Sequence, residues 1–330
     1  MARRSRNQIE PAVLTVSMIT PTVPSGAVGE FTADLSQIAS LVNRRFYRQG
    51  LNWAVAGIKI LTTVQGNISV TKLPNTWVMS NAWEKGMRAW LKMNREALQE
   101  TESVRPRFMD YKIFADSVHH AGGFVGNLLP VDASNTPYTP GEWLPSKMVV
   151  PFGPASPGNT AEFEIKAVGA NYNGAAVPVV SLIGGYAASR GLPYPEDPNT
   201  PGDADDASGS TPENWLAATF NSGTDQTSEV IEDNLFENNQ APYPFEGDGS
   251  ALDTMYPGGA NQAPTLEYHD GSIVTASTIG GTTRLKGGNF PCGLMRINWN
   301  PTDVTSGIRI EVDLVPGNHR GYLCEPMTEM

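Results

Sequence analysis

The chain lacks the features that mark several large classes of protein. Charged residues make up only 17% of its 330 residues, and no apolar run approaches the roughly 20 residues that a membrane-spanning helix needs. Two cysteines, Cys292 and Cys324, are too few for a disulfide framework, so we expect reduced thiols, with one bridge as the alternative. The first residues, MARRSRNQIEP, include basic side chains but no following apolar segment, so we expect no secretory signal.

Motifs for common chemistries are also missing. The sequence has no G-x-G-x-x-G, G-x-x-x-x-G-K-[ST], G-x-S-x-G or H-E-x-x-H pattern. His119 and His120 fall in a predicted strand, Arg107–Ala121, where adjacent side chains point to opposite faces and do not share a metal ion. The Gly-rich pieces lie beside predicted strands and indicate turns. We therefore predict no catalytic residues, no metal ligands and no cofactor.

Acidic side chains are abundant, but their spacing does not define a site. Asp203, Asp205 and Asp206 lack the ligand spacing, glycine and terminal glutamate of an EF-hand loop. They are predicted to form a solvated acidic loop, with calcium bound between subunits as the alternative. A sequence with 34 acidic residues always offers carboxylate pairs, so glycoside hydrolysis stays open on composition alone.

Positive charge is concentrated at one end of the sequence. Residues 1–113 contain 15 Lys and Arg against 8 Asp and Glu, whereas residues 191–283 contain no Lys or Arg and 16 acidic residues. This asymmetry favours a molecule with a basic surface near polyphosphate and an acidic surface toward solution. Ordinary solvated loops would explain the acidic tract equally well.

The composition that is present favours β-structure. The chain has 33 Gly and 26 Pro, which suit an all-β protein with many turns. The clearest alternation covers Gly307–Leu314. Along Ala161–Val168, apolar residues alternate with Glu162, Glu164 and Lys166, which predicts a strand with one wet face. Without regular βα alternation, the best fit is an all-β, eight-stranded antiparallel jelly-roll sandwich with helices and long insertions in its loops.

The strongest local patterns lie between Leu51 and Leu98. Apolar residues alternate along a strand and change phase at Gly57, which predicts a bulge or bend. Gln65-Gly66-Asn67 predicts a hairpin to a second strand. An amphipathic helix follows, with Ser80 or Asn81 as its predicted N-cap. Its tryptophans share one face, which we interpret as core packing.

The helical segment NTWVMSNAWEKGMRAWLKM, after a predicted hairpin and before a β-rich remainder, resembles the capsid proteins of small circular single-stranded DNA viruses that encode a replication initiator (CRESS DNA viruses). The resemblance in sequence covers roughly residues 30–100; beyond it, the likeness is one of architecture. It implies a non-enzymatic structural protein: a jelly-roll subunit that assembles with identical copies into an icosahedral shell around single-stranded DNA.

The resemblance also implies where the DNA is contacted. Carried over by position, the contact residues are six arginines: Arg3, Arg4, Arg6, Arg44, Arg45 and Arg48. The last three follow a predicted helix capped by Asp34 or Ser36, and they interleave with Phe46 and Tyr47 as in grooves that stack bases. A solvated helix end with Phe46 in the core is the alternative. Many family members have a long Arg-rich arm; three arginines predict weak genome retention.

We expect a basic arm over residues 1–10 and a single jelly-roll capsid domain over 11–330. Residues 187–263 are predicted to form an acidic, loop-rich insertion on the outer face, where a host receptor would bind. The protein is expected in the virion after synthesis inside a cell, without a membrane partner. The C-terminal tail either lies along a neighbouring subunit or returns along its own.

Two other classes of protein fit a β-rich chain without catalytic motifs. One is a carbohydrate-binding or glycan-cleaving β-sandwich that acts alone, which predicts a monomer or small oligomer with a pocket of Trp and carboxylates. The other is a phage head or tail structural protein. Electron microscopy separates these classes, since only a shell has a defined diameter.

Overall fold

The computed structural model describes residues 11–100, 103, 109–152, 159–174, 177–190, 265–275, 277–278 and 281–329. Strands account for 42% and helices for 24% of the confidently placed residues, so the protein is mostly β, as predicted. The predicted arm, the acidic loop with Asp203, and nearly all of the predicted insertion lie outside the described residues. The expected single domain over 11–330 stays a prediction.

The described elements are numbered here in chain order. They are β1 (Thr15–Ile19), β2 (Gly29–Asp34), α1 (Leu35–Asn43), β3 (Leu51–Leu61), β4 (Gly66–Lys72), α2 (Trp77–Glu100), α3 (Ser117–Gly122), β5 (Lys147–Phe152), β6 (Asn159–Lys166), β7 (Tyr172–Asn173), β8 (Pro178–Ser181), α4 (Leu182–Arg190), β9 (Glu267–Val274), β10 (Thr282–Phe290), β11 (Leu294–Pro301), β12 (Arg309–Leu314), β13 (Pro316–Gly317), β14 (Gly321–Tyr322) and β15 (Cys324–Pro326).

The chain divides into two compact units. Unit 1 takes residues up to Asn75, then 117–144, then those from Leu266 onward; unit 2 takes 76–116 and 145–265. Unit 1 contains two antiparallel sheets, with strand orders β1-β12-β3-β10 and β2-β11-β4-β9. Both sheets contribute to one hydrophobic core, which includes Val16, Ile58 and Ile310 from the first sheet and Ile68, Val70 and Ile297 from the second.

Two strand predictions in unit 1 are confirmed in detail. Ile310 and Val312 of β12 are fully buried, and the residues between them are only partly buried. Successive side chains of a strand point to opposite faces, so one face of β12 lies on the core and the other faces outward. The predicted irregularity in β3 is also present. The register between β3 and β12 shifts between Asp313 and Leu314, opposite Gly57. The phase change in the sequence therefore marked a true bulge.

The predicted hairpin after β3 is wrong. β3 lies in the first sheet and β4 in the second, so the connection crosses from one sheet to the other. Gly66 serves a different purpose from a turn glycine. A Cβ atom there would lie 2.5 Å from the Asn300 carbonyl oxygen and 2.6 Å from the Trp299 ring. Close approach of β4 to β11 therefore explains this glycine.

Strand β10 was missed from the sequence, since its Gly287-Gly288 pair resembles a turn. A Cβ on Gly287 would meet the backbone of Val55 and Ala56 at 2.2–2.4 Å, beside the bulge in β3. Glycine is thus required inside this strand by close backbone contact. Strand β9, which pairs with β4 in the second sheet, is a single strand over Glu267–Val274.

The C-terminal tail returns along its own subunit. β15 pairs with the first residues of β3, and the backbone N–H of Met327 donates to the Gly50 carbonyl at 3.2 Å. Tyr322 and Met327 are fully buried. Of the two courses predicted for the tail, the structure therefore shows the one along its own subunit.

Unit 2 combines helices with a small sheet of order β5-β6-β8-β7. Helix α2 begins at Trp77, three residues before the predicted caps, and the Thr76 hydroxyl oxygen accepts a hydrogen bond from the Met79 N–H. The ring centroids of Trp83 and Trp90 lie 5.9 and 5.8 Å from that of Tyr111. Trp83 is buried, which confirms its predicted core role, whereas Trp90 is half-buried. β6 pairs with β5 in antiparallel and with β8 in parallel orientation, and the sequence did not suggest the parallel pair.

Lys166 was predicted on the wet face of β6, and this is wrong. The residue is fully buried. Its ammonium group lies 4.5 Å from the centroid of the Tyr172 ring and donates to the Ala170 carbonyl oxygen. Burial lowers the pKa of Lys166, and the charge of Asp116 opposes this. A cation–π contact and a hydrogen bond thus compensate for desolvation, which alternation alone does not reveal.

Candidate nucleic-acid interface

The site begins with helix α1, whose ends are set by local chemistry. The Asp34 carboxylate accepts hydrogen bonds from the N–H groups of Ser36 (2.9 Å) and Gln37 (3.3 Å), which confirms the predicted cap. The helix stops where Arg44 adopts a left-handed conformation with φ 51° and ψ 39°. Three predicted contact residues, Arg44, Arg45 and Arg48, follow this stop.

The aromatic residues among these arginines belong to the protein interior. Tyr47 is fully buried, with its ring centroid 5.8 Å from that of Trp53 and 5.5 Å from that of Tyr322. Phe46 is half-buried, 6.3 Å from the Trp143 ring. Tyr47 therefore has no exposed face on which a base could stack. Arg44 and Arg48 are exposed and Arg45 is half-buried, so the cations are on the solvent side.

The C-terminal hairpin β13–β14 adds two basic residues to this surface. The Tyr47 hydroxyl donates to the Arg320 carbonyl oxygen at 3.0 Å, and the Arg320 guanidinium donates to the Phe46 carbonyl oxygen. The His319 ring lies 6.4 Å from the Tyr47 ring. We call Arg44, Arg45, Arg48, His319 and Arg320 the basic cluster.

Electrostatics within the basic cluster follow from this crowding. Burial lowers the pKa of His319, and the positive charges of Arg320 and Arg48 lower it further. Burial raises the pKa of the Tyr322 hydroxyl to about 12, and the nearby Arg45 acts in the opposite direction. His319 is thus favoured in its neutral form at pH 7, and the arginines supply the charge.

Three distant parts of the chain meet at the edge of the cluster. The Tyr322 hydroxyl accepts a hydrogen bond from the Asn43 amide (2.7 Å) and donates one to the Val13 carbonyl oxygen (2.7 Å). The Asn43 side-chain oxygen accepts from the Val13 N–H at 3.0 Å. We call these three residues the Val13 clamp. Both backbone groups of Val13 are held directly beside Arg44.

The remaining predicted contacts, Arg3, Arg4 and Arg6, lie outside the described residues. Their role as contacts stays a prediction.

Other predicted groups are placed elsewhere. His119 and His120 lie in helix α3, not in a strand, because a short helix replaces the extended chain expected there. His119 is buried, and its ring nitrogen hydrogen-bonds the Asn127 side-chain oxygen at 2.8 Å. Cys292 and Cys324 are free thiols, and burial raises the pKa of Cys324 to about 12. Within the described residues, no three His, Cys, Asp or Glu side chains gather as metal ligands.

The outward face of the first sheet also carries charged side chains, and these are of both signs. The Lys59 ammonium lies 2.8 Å from an Asp313 carboxylate oxygen and 3.9 Å from one of Glu311. The side chains of Glu311 and Asp313 thus compensate the charge of Lys59. Arg284 and Lys286 of β10 lie on the same outward face, so this face is a second candidate for binding an anion.

Guanidinium groups offer planar N–H donors that match phosphate oxygens. Sequence reasoning identified Arg44, Arg45 and Arg48 through their alternation with aromatic residues. It missed Arg320 and His319, since the C-terminal tail has no pattern and joins the site only through the fold.

No family model, curated protein or solved structure matches the chain. None of the helices in the described ranges is long and apolar enough to cross a membrane.

Proposed function

We propose that unit 1 is an eight-stranded jelly roll. The supporting observation is its strand order. In the sequence β1 to β4 and then β9 to β12, successive strands alternate between the two sheets, except that β4 and β9 are neighbours in one sheet. Two Greek keys wrapped into a double sheet give this order. Helix α1 and the whole of unit 2 then occupy connections between jelly-roll strands.

We further propose that the protein is a capsid subunit that assembles with identical copies around single-stranded DNA. Jelly rolls occur in viral capsids and in lectins, so the fold alone does not choose between them. The resemblance of residues 75–93 to the capsid proteins of small circular single-stranded DNA viruses favours the capsid. The strand order is the observation that carries this proposal, since it agrees with what that resemblance implies.

The basic cluster supports the DNA part of the proposal. It combines three predicted arginines with Arg320 on one surface, and the other three predicted arginines precede the Val13 clamp in the sequence. Each phosphate contact releases counterions and makes binding depend on salt. Such a surface suits a flexible polyanion better than a small ligand.

Assembly is tested with the purified full-length chain. We expect closed particles of uniform diameter in electron micrographs and a fast boundary in analytical ultracentrifugation, across a series of ionic strengths. Single-stranded DNA added during assembly should become resistant to nuclease. A chain that sediments only as a monomer under all these conditions, with or without DNA, would contradict the proposal.

A triple variant, R44Q/R45Q/R48Q, tests the site. We expect the slope of log K against log salt for a single-stranded oligonucleotide to fall by about 2, at about 0.7 per lost contact. The control R88Q/K92Q/R95Q removes the same charge from helix α2 and should leave the slope unchanged. Equal slopes for both variants would remove this surface as the DNA contact.

A further inference from the structure

The outward face of the second sheet is formed mainly by uncharged polar side chains. Ile68 of β4 and Ile297 of β11 point into the core, so the alternate residues of both strands point outward. These outward residues are Asn67, Ser69, Thr71, Arg296, Asn298 and Asn300. The Arg296 guanidinium is buried, donates to the Thr32 hydroxyl at 2.9 Å and lies 3.6 Å from a Glu30 carboxylate oxygen. Amides and hydroxyls therefore cover the rest of β4 and β11 on this face.

A β-bulge in β9 adds an aromatic ring to the same face. Asp270 pairs with Val70, which points into the core. Tyr268, two residues earlier, pairs with Thr71, the very next residue of β4, so His269 is an extra residue in β9. In a regular strand Tyr268 would point inward with Asp270, and the bulge turns it outward instead. As a result, the tyrosine is 66% exposed.

Contacts on both sides of the bulge hold this tyrosine in place. The Lys286 N–H of β10 donates to the Asp270 carboxylate at 2.7 Å, and a His269 ring nitrogen hydrogen-bonds the Lys286 carbonyl oxygen at 3.0 Å. On the outward face, a Cβ atom on Gly271 would lie only 2.6 Å from the Tyr268 hydroxyl oxygen. The tyrosine side chain therefore lies along β9 over Gly271 and presents its other side to solvent.

Two amides on the face have an oxygen without a hydrogen-bond partner. These are the buried Oδ1 atoms of Asn298 and Asn300, although the Asn298 nitrogen donates to the Ser69 hydroxyl at 3.2 Å. An unpaired buried oxygen destabilises the fold. Both residues are only half-buried, and the terminal torsion of asparagine is broad. Rotation of the amide therefore brings its oxygen toward a ligand on this face.

We propose that the outward face of the second sheet binds a neutral oligosaccharide. One sugar ring packs on the exposed side of Tyr268, and its hydroxyls exchange hydrogen bonds with the amides and hydroxyls beside it. Adjacent strands are about 4.8 Å apart and successive outward residues about 6.7 Å apart, so these groups form a grid on the scale of a sugar ring.

Charge favours a neutral ligand over a polyanion on this face. Asn67, Ser69 and Asn298 offer donors and acceptors without charge, whereas the outward face of the first sheet carries Arg284 and Lys286. A nucleic acid gains most of its affinity from cations that neutralise its phosphates. The proposed sugar site depends neither on assembly nor on the basic cluster.

The test measures binding of the full-length chain to immobilised neutral glycans that end in galactose, N-acetylglucosamine or mannose, by biolayer interferometry. We expect wild type to bind at least one of them. Y268A should bind that glycan about tenfold more weakly or worse, as for a central aromatic residue of an interface. Y268F keeps the ring and should stay within about fivefold of wild type. The matched control is Y138A, which removes an exposed tyrosine beside β1 of the first sheet.

The Asn300→Ala variant separates binding from folding. Because the amide oxygen of Asn300 has no partner, N300A should unfold at the same temperature as wild type or higher. It should nevertheless bind the glycan about two- to tenfold more weakly, since a hydrogen bond to the ligand is lost. Unchanged affinity in N300A would show that the amides take no part in the site.

Three results would overturn the proposed sugar site. Wild type may bind none of the three glycans, or Y268A and Y138A may bind them equally well. Alternatively, wild type may bind an oligothymidylate more tightly than any glycan and lose this binding in Y268A, which would make the face a nucleic-acid contact. Electron micrographs of the same preparations report particle formation, so failure of the sugar site and failure of the proposed function are observed separately.

Discussion

The Asp34 carboxylate is a buried hub as well as a helix cap. One oxygen accepts from the first turn of α1, and the other accepts from the Gln49 amide (3.1 Å) and the Trp143 indole (3.0 Å). Asp34 is fully buried, and burial raises its pKa to about 6 despite these hydrogen bonds. Four N–H groups therefore hydrogen-bond this buried carboxylate.

This raised pKa has a predictable effect on stability. The unfolded chain has an aspartate pKa near 3.9, so between about pH 4 and 6 the folded state binds the proton more tightly. We expect the contribution of Asp34 to the free energy of unfolding to increase as pH falls from 7 to 4, by on the order of 1–3 kcal/mol. Urea unfolding of wild type and D34N across this range isolates it. Parallel pH profiles for the two proteins would contradict the raised pKa.

Asp34 also shows how far sequence reasoning extends at the residue scale. Its role as a cap was predictable, because Ser36 and Gln37 lie within three residues of it. Its bonds to Gln49 and Trp143 span 15 and 109 residues, and no local pattern encodes them. The same holds for the site, where Arg44 was predicted and Arg320 was not.

At the scale of elements, strand β10 depends on one glycine. The Gly287→Ala variant would push a methyl group into the Val55 and Ala56 backbone, which cannot move without opening the bulge in β3. We expect a loss of about 1–3 kcal/mol in unfolding free energy, as for overpacked cores. Gly126→Ala is the matched control, because nothing lies within 4 Å of its Cβ position. Chemical unfolding measures the free energy of unfolding of both variants. Equal values for Gly287→Ala and Gly126→Ala would show that β10 can shift to accommodate the methyl group.

Elements were predictable where the sequence pattern and the fold agree. Helix α1 has a cap and apolar residues at helical spacing, and β12 alternates cleanly. The failures have physical causes. Gly287 and Gly66 resemble turn signals in the sequence, but in the structure they allow neighbouring strands to approach closely. A turn signal after β3 also does not say which of two sheets the next strand joins.

At the scale of the whole molecule, the C-terminal tail completes unit 1. A chain that ends at Gly317 loses the buried side chains of Tyr322 and Met327 and the strand beside β3. Removal of large buried side chains costs about 3–5 kcal/mol each, comparable to the stability of many domains. We expect this truncation to be insoluble or unfolded by circular dichroism. A chain that ends at Thr328 keeps both side chains and should fold; equal behaviour of the two would show the tail to be dispensable.

The mostly β class followed from glycine, proline and short alternating runs, and the structure confirms it. The parallel pair β6–β8 did not follow, because strand direction depends on connections that period-2 patterns do not describe. The charge asymmetry pointed to a basic surface in the first third of the chain. The position of Arg320 on that same surface emerges only from the return of the tail.

The Val13 clamp makes the two ends of the polypeptide dependent on each other. Val13, Asn43 and Tyr322 come from the beginning, the first helix and the last dozen residues, yet they share one set of hydrogen bonds. A recombinant gene that joins the 5′ part of one variant to the 3′ part of another must therefore inherit compatible partners from both parents.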